Sequence, residues 1–125
     1  MANINELVGL TAIGVVREAA GGKRDHNERL VFTIEDGRRF IMTHDQECCE
    51  SVYIEDINGD LDWLVGTPIV SAIEASSREE SGRGIDSATW TFYRIHTAKG
   101  SVVLRWCGES NGYYSESVDC VWEEK

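Results

Sequence analysis

The sequence predicts a mainly β domain, or an α+β one with short helices, built from two diverged four-stranded repeats. Three observations carry this. Short runs dominated by Val, Ile, Thr, Tyr, Phe and Trp alternate with turn signals along the whole chain. Three short motifs occur twice, in the same order. Helical patterning is confined to pieces of a turn or two.

The first strand follows Leu7-Val8-Gly9 and runs through Ala12-Ile13-Gly14-Val15-Val16. Its counterpart follows Leu64-Val65-Gly66 and runs through Ile69-Val70-Ser71-Ala72-Ile73, with Pro68, the only proline, at its start, a position strands tolerate. A polar loop comes next in each half, Gly21-Gly22-Lys23-Arg24 and then Ser81-Gly82-Arg83-Gly84. A hairpin follows each loop. The first pairs Leu30 to Ile34 with Phe40 to Thr43 around Asp36-Gly37, a strong signal because such turns need positive φ. The second pairs Thr89 to Thr97 with Val102 to Trp106 around Lys99-Gly100, a weaker version of the same signal.

The fourth strand of each half carries the clearest repeat, Glu50-Ser51-Val52 returning as Glu116-Ser117-Val118. Alternation there sets Val52 and Ile54 against Tyr53 and Glu55, and Val118, Cys120 and Trp122 against Asp119, Val121 and Glu123. Matching motifs lie further apart toward the C-terminus, which places small insertions in the loops of the second copy. Repeat 1 spans about 7–57 and repeat 2 about 64–122 of a single domain, 1–125. Asp45 to Glu50 and Asp56 to Leu64 are expected to make short helical turns, the second interrupted by Asn58-Gly59. Each half has an apolar face to cover, so the halves join as a continuous twisted sheet, a small sandwich or a barrel, with pseudo-twofold symmetry. Exposed edges of such sheets also favour a homodimer.

Charge narrows the function. Twelve Lys and Arg face 22 Asp and Glu, for a net charge of −10. That excludes a general nucleic-acid binder and an anionic membrane surface as partners. No apolar run approaches the roughly 20 residues of a membrane span. Residues 1–9 lack a basic segment followed by an apolar one, so a cytoplasmic location is expected. In that compartment Cys48, Cys49, Cys107 and Cys120 are expected as free thiols rather than disulfides.

Between Arg39 and Arg78 there is no Lys or Arg. Asp45, Glu47, Glu50, Glu55, Asp56, Asp60 and Asp62 in that stretch predict an acidic face for a partner with a basic, nucleic-acid-binding surface. Two alternative sites are legible. The basic loops and aromatics at Arg24, Arg83, Arg105, Trp106, Tyr113 and Tyr114 suit a nucleotide-like small molecule. His44, Cys48, Cys49 and Cys107 carry zinc-ligand chemistry, and aligning the halves sets His44 against Cys107, which gives a zinc-stabilised module. Neither spacing is a recognised motif. A His44–cysteine nucleophile pair lacks any mark of oxyanion donors, so no catalytic residue and no cofactor is assigned.

The run Met42-Thr43-His44-Asp45-Gln46-Glu47-Cys48-Cys49-Glu50-Ser51-Val52-Tyr53-Ile54-Glu55-Asp56 with Gly59-Asp60, the segment Thr89-Trp90-Thr91-Phe92-Tyr93, and Arg105-Trp106 followed by residues 108–118 are similar to a family of small proteins of bacteriophages and bacterial mobile elements that carries a domain-of-unknown-function label. The resemblance covers most of residues 42–120 and brings no site residues with it. It implies a phage or prophage setting inside a bacterial host. With the acidic stretch, it leads to the expectation of a non-enzymatic accessory protein that inhibits or modulates a host system such as an antiviral defence complex, an anti-CRISPR kind of role.

Overall fold

A computed structural model describes residues 2–19, 28–44, 50–80, 87–110 and 116–123. Its eight strands form two four-stranded antiparallel sheets stacked as an open sandwich, not a closed barrel. The first sheet has the order β1 (Ala12–Ala19), β2 (Glu28–Ile34), β3 (Arg39–Thr43), β8 (Asp119–Glu123). The second has the order β4 (Ser51–Asn58), β7 (Gly100–Ser110), β6 (Ser87–Thr97), β5 (Ile69–Glu80). Every strand falls on a run that the sequence marks, although β1 and β5 extend further than their apolar stretches.

Neither sheet is one repeat. The last strand of each repeat crosses to the other layer: β4 pairs with β7, and β8 pairs with β3. The open edge that each hairpin presents is therefore closed by the other half. Alternation is the same whichever hairpin a strand joins, so the pattern of Val52 and Ile54, or of Val118 and Cys120, fixes the inward side but not the partner. Burial agrees with that pattern, at 1% and 2% exposure for the first pair and 8% and 4% for the second.

The two halves meet about a pseudo-twofold axis near the repeated Leu-Val-Gly motifs. Thr11 bridges Pro68. Gly9 N–H donates to the Ile69 carbonyl at 2.8 Å, and Gly66 N–H to the Ala12 carbonyl at 2.9 Å. Both glycines take left-handed φ, 88° and 90°, which a side chain would resist. Leu7 and Leu64, two residues before them, are wholly buried.

Each motif is preceded by a 3-10 helix, Ile4–Leu7 and Leu61–Leu64, capped by Asn3 and Asp60. The second replaces most of the longer turn expected between Asp56 and Leu64, because β4 continues to Asn58. The first was not anticipated, although Asn3-Ile4-Asn5-Glu6 is a legible capping box. Glu6 accepts the Asn3 N–H at 2.6 Å, and Trp122 Nε1–H donates to Glu6 at 3.1 Å, tying the helix to β8. The turn expected over Asp45 to Glu50 lies outside the described residues except for Glu50.

One apolar core fills the space between the sheets, with Phe32, Phe40, Tyr93, Leu104 and Trp106 at its centre. Phe40 stacks edge-on against both Phe32 and Trp122. Among the described residues no helix is long and apolar enough to cross a membrane.

Candidate functional site

The strand exchange brings the two sheet-to-sheet connections together at one end of the sandwich. The pairs Ala19–Glu28, Glu80–Ser87, Ser87–Ser110 and Ser51–Glu109 close the sheets at that same end. The segments holding Arg24, Asp45, Glu47, Cys48, Cys49, Arg83, Tyr113 and Tyr114 leave from these strand ends, and the residues themselves lie outside the described residues.

Beside these strand ends sits a buried polar cluster. His44 Nδ1–H donates to the Ser117 carbonyl at 2.9 Å, and Nε2 lies 2.9 Å from Glu50 Oε2. The side chains of this pair are 4% and 0% exposed. A carbonyl accepts only, so Nδ1 carries a proton. The Nε2–Glu50 contact then needs one more proton, held on the imidazolium or on the carboxyl. The matching glutamate of the second half, Glu116, accepts from the hydroxyls of Ser87, Ser110 and Thr89. The repeated Glu-Ser-Val motif thus places one buried carboxylate at each crossing. Gly108 is needed because the second crossing passes directly over it: a Cβ there would stand 2.3 Å from the Glu116 carbonyl oxygen.

This cluster corrects two expectations. Glu50 belongs to the interior rather than to an acidic face, since a lone surface carboxylate has no need of the histidine that covers it. Zinc ligation by His44 together with Cys107 does not form. His44 follows the inward-facing Phe40 and Met42 of β3, whereas Cys107 lies between Trp106 and Gly108 and so points to the outer side of the second sheet. Both ring nitrogens of His44 are already engaged. Burial pushes the Cys107 thiol up, away from the thiolate a metal requires. Among the described residues no three His, Cys, Asp or Glu side chains are grouped to hold a metal ion. Glu116 was legible only as half of a repeat, and two of its polar partners, Ser87 and Thr89, come from a strand 29 and 27 residues away in sequence.

The nucleotide-binding alternative also divides. Trp106 is wholly buried in the core and offers no stacking face. Arg105 lies on the outer face, paired with Glu55 and with its guanidinium 5.6 Å from the Trp90 ring.

Of the other described acidic residues, Glu55 and Asp56 stand midway along the second sheet, and Asp60 and Asp62 lie beyond the far end of β4. Glu55 is neutralised by Arg105, while Asp56, Asp60 and Asp62 are exposed. Asp60 caps the second 3-10 helix by accepting the Asp62 N–H at 2.9 Å. Trp63, which no sequence signal marks, stands on that helix with 41% of its surface open. The helix is firmly held. Thr97 Oγ1–H donates to the Trp63 carbonyl at 2.5 Å, and Lys99 Nζ donates to the Val65 carbonyl at 2.7 Å. The Trp63 ring lies against Gly100, where a Cβ would come within 2.9 Å of it.

No curated protein and no solved structure matches this chain. The sandwich, with its exchanged strands and buried glutamate at each crossing, covers nearly the same residues as a family pattern that the sequence fits. The chain belongs to the family described as a domain of unknown function (DUF7448), matched over residues 5–120.

Proposed function

We propose that this chain is a non-enzymatic binding domain that docks a basic partner protein through the edge formed by Asp56, Asp60, Asp62 and Trp63. The observation that carries the proposal is Trp63, a large aromatic left 41% exposed among carboxylates on a helix that is held in place. A rigid aromatic anchor loses little conformational entropy on binding, and Trp is enriched where binding energy concentrates. The carboxylates add orientation and association rate toward a positive surface. Lys99, at the rim of this edge, leaves the local charge negative.

Support against a catalytic reading comes from the polar cluster. His44 has no ring nitrogen left to act as a base, and the Cys107 and Cys120 thiols are held protonated. In the phage or mobile-element setting that the resemblance implies, the partner is host machinery with a phosphate-binding surface, such as an antiviral defence complex.

The test is capture from nuclease-treated bacterial lysate. Wild-type protein is expected to retain a partner that double-stranded DNA displaces. The Asp56→Lys/Asp62→Lys variant and Trp63→Ala are each expected to lose it. Asp60 is left intact because it caps the helix. Capture that is unchanged by charge reversal, or untouched by DNA, refutes the proposal.

A further inference from the structure

A second site lies between the layers, away from the acidic edge. The inner face of the second sheet is apolar through Ala72 and Ile95, then turns polar toward the crossing end. There Glu74 pairs across from Tyr93, and Ser76 from Thr91. β8 and residues 2–4 cannot pack dry against such a surface. They leave a cleft of about 300 Å³ lined by Glu74, Ser76, Thr89, Thr91, Asp119 and Cys120.

We propose that this cleft binds a small organic cation bearing ammonium or guanidinium groups. Three observations support it. The first is its chemistry: two carboxylates, Glu74 and Asp119, stand among hydroxyls, with no basic side chain among the described lining residues. The space is too large for a bare ion, and the described residues offer no metal-binding group of three.

The second is Tyr93. Its side chain is wholly buried and its hydroxyl has no hydrogen-bond partner. Glu74 and Cys120, both lining residues, lie near it and raise its pKa after burial does. A buried hydroxyl left unsatisfied is costly. A ligand nitrogen entering between Glu74 and Cys120 would give it a partner.

The third is the pseudo-symmetry. Counting from the matched Leu-Val-Gly motifs, Glu74 occupies the place of Arg17 in the first half. Arg17 reaches from β1 to the last strand of its own repeat, donating to the Ile54 carbonyl at 3.1 Å, and pairs with Glu28 at 2.5 Å. The corresponding space between β5 and β8 lacks that guanidinium and carries a carboxylate in its stead. The first half supplies its own cation, and the second is built to receive one.

The probes are spermidine and agmatine, titrated into the protein by calorimetry at low ionic strength. One molecule per chain is expected. Glu74→Gln/Asp119→Asn is expected to weaken binding at least tenfold, whereas Glu35→Gln, on the exposed first hairpin turn, leaves it unchanged. Tyr93→Phe is expected to weaken binding several-fold while the free protein unfolds at the same or a higher urea concentration, which separates ligand contact from folding. Binding that survives in the double variant is attraction to an acidic chain in general and overturns the proposal. No binding at millimolar probe, or undiminished affinity in Tyr93→Phe, overturns it as well. Neither result bears on the acidic edge, which shares no residue with the cleft.

Discussion

Replacing His44 by alanine should be among the most damaging single changes in this protein. The substitution removes the donor facing Glu50 and the donor to the Ser117 carbonyl, at a site where both side chains of the pair are essentially closed to water. Taking one member from a buried ion pair strips the other of that counter-charge, at about 3–5 kcal/mol. A domain of this size has a total stability of about 5–15 kcal/mol, so roughly a fifth or more is at stake. The melting temperature should fall by about 10–20 °C. Urea unfolding followed by tryptophan fluorescence measures this directly. Glu50→Gln is the informative companion. A neutral imidazole can keep Nδ1–H on Ser117 while the new amide donates to Nε2, so this variant should lose only about 1 kcal/mol. In the double variant His44→Ala/Glu50→Ala the losses should be well short of additive, because the two side chains act on each other. A loss below about 1 kcal/mol for His44→Ala, or strict additivity in the cycle, would refute the argument that the pair holds the two crossings together.

Two further outcomes follow from the same geometry. Gly108→Ala should cost at least about 2 kcal/mol by urea midpoint, because its Cβ would sit 2.3 Å from a backbone oxygen of the crossing segment, and backbone cannot step aside as a side chain can. Cys120 should make the protein alkali-sensitive. Burial, then the Glu74 and Asp119 carboxylates, push its thiol from 9.0 up to about 12. The folded state therefore keeps a proton that the unfolded chain has lost. This contribution is fully present below pH 9 and drains away as pH rises toward 12, at about 1.4 kcal/mol per unit. Comparing urea midpoints at pH 8 and pH 10 should show a steeper decline for wild type than for Cys120→Ala, and equal declines would contradict the assignment.

Much of this architecture is written locally. Strand-forming runs, the Asp36-Gly37 turn and the alternation around Val52 and Val118 depend on near neighbours and on the two-residue period of a strand, so eight strands, and the faces of the last strand in each half, were legible. The repeat was legible too, since its motifs mark places with strict demands: a left-handed glycine after a buried leucine, and a carboxylate at each crossing. The sequence also carries the acid-only stretch, but only as a string of charges. Pairing across sheets decided what each charge does. Glu50 meets His44 in the interior, Glu55 meets Arg105 on the outer face, and Asp60 spends its side chain on a helix cap. Strand exchange was decided at the same level, because an unpaired strand edge is satisfied equally well by either repeat until the layers pack. The cleft beside Tyr93 is likewise a property of packing: Glu74 and Asp119 stand 45 residues apart in the chain, and only the stacking of the two sheets sets them along one space.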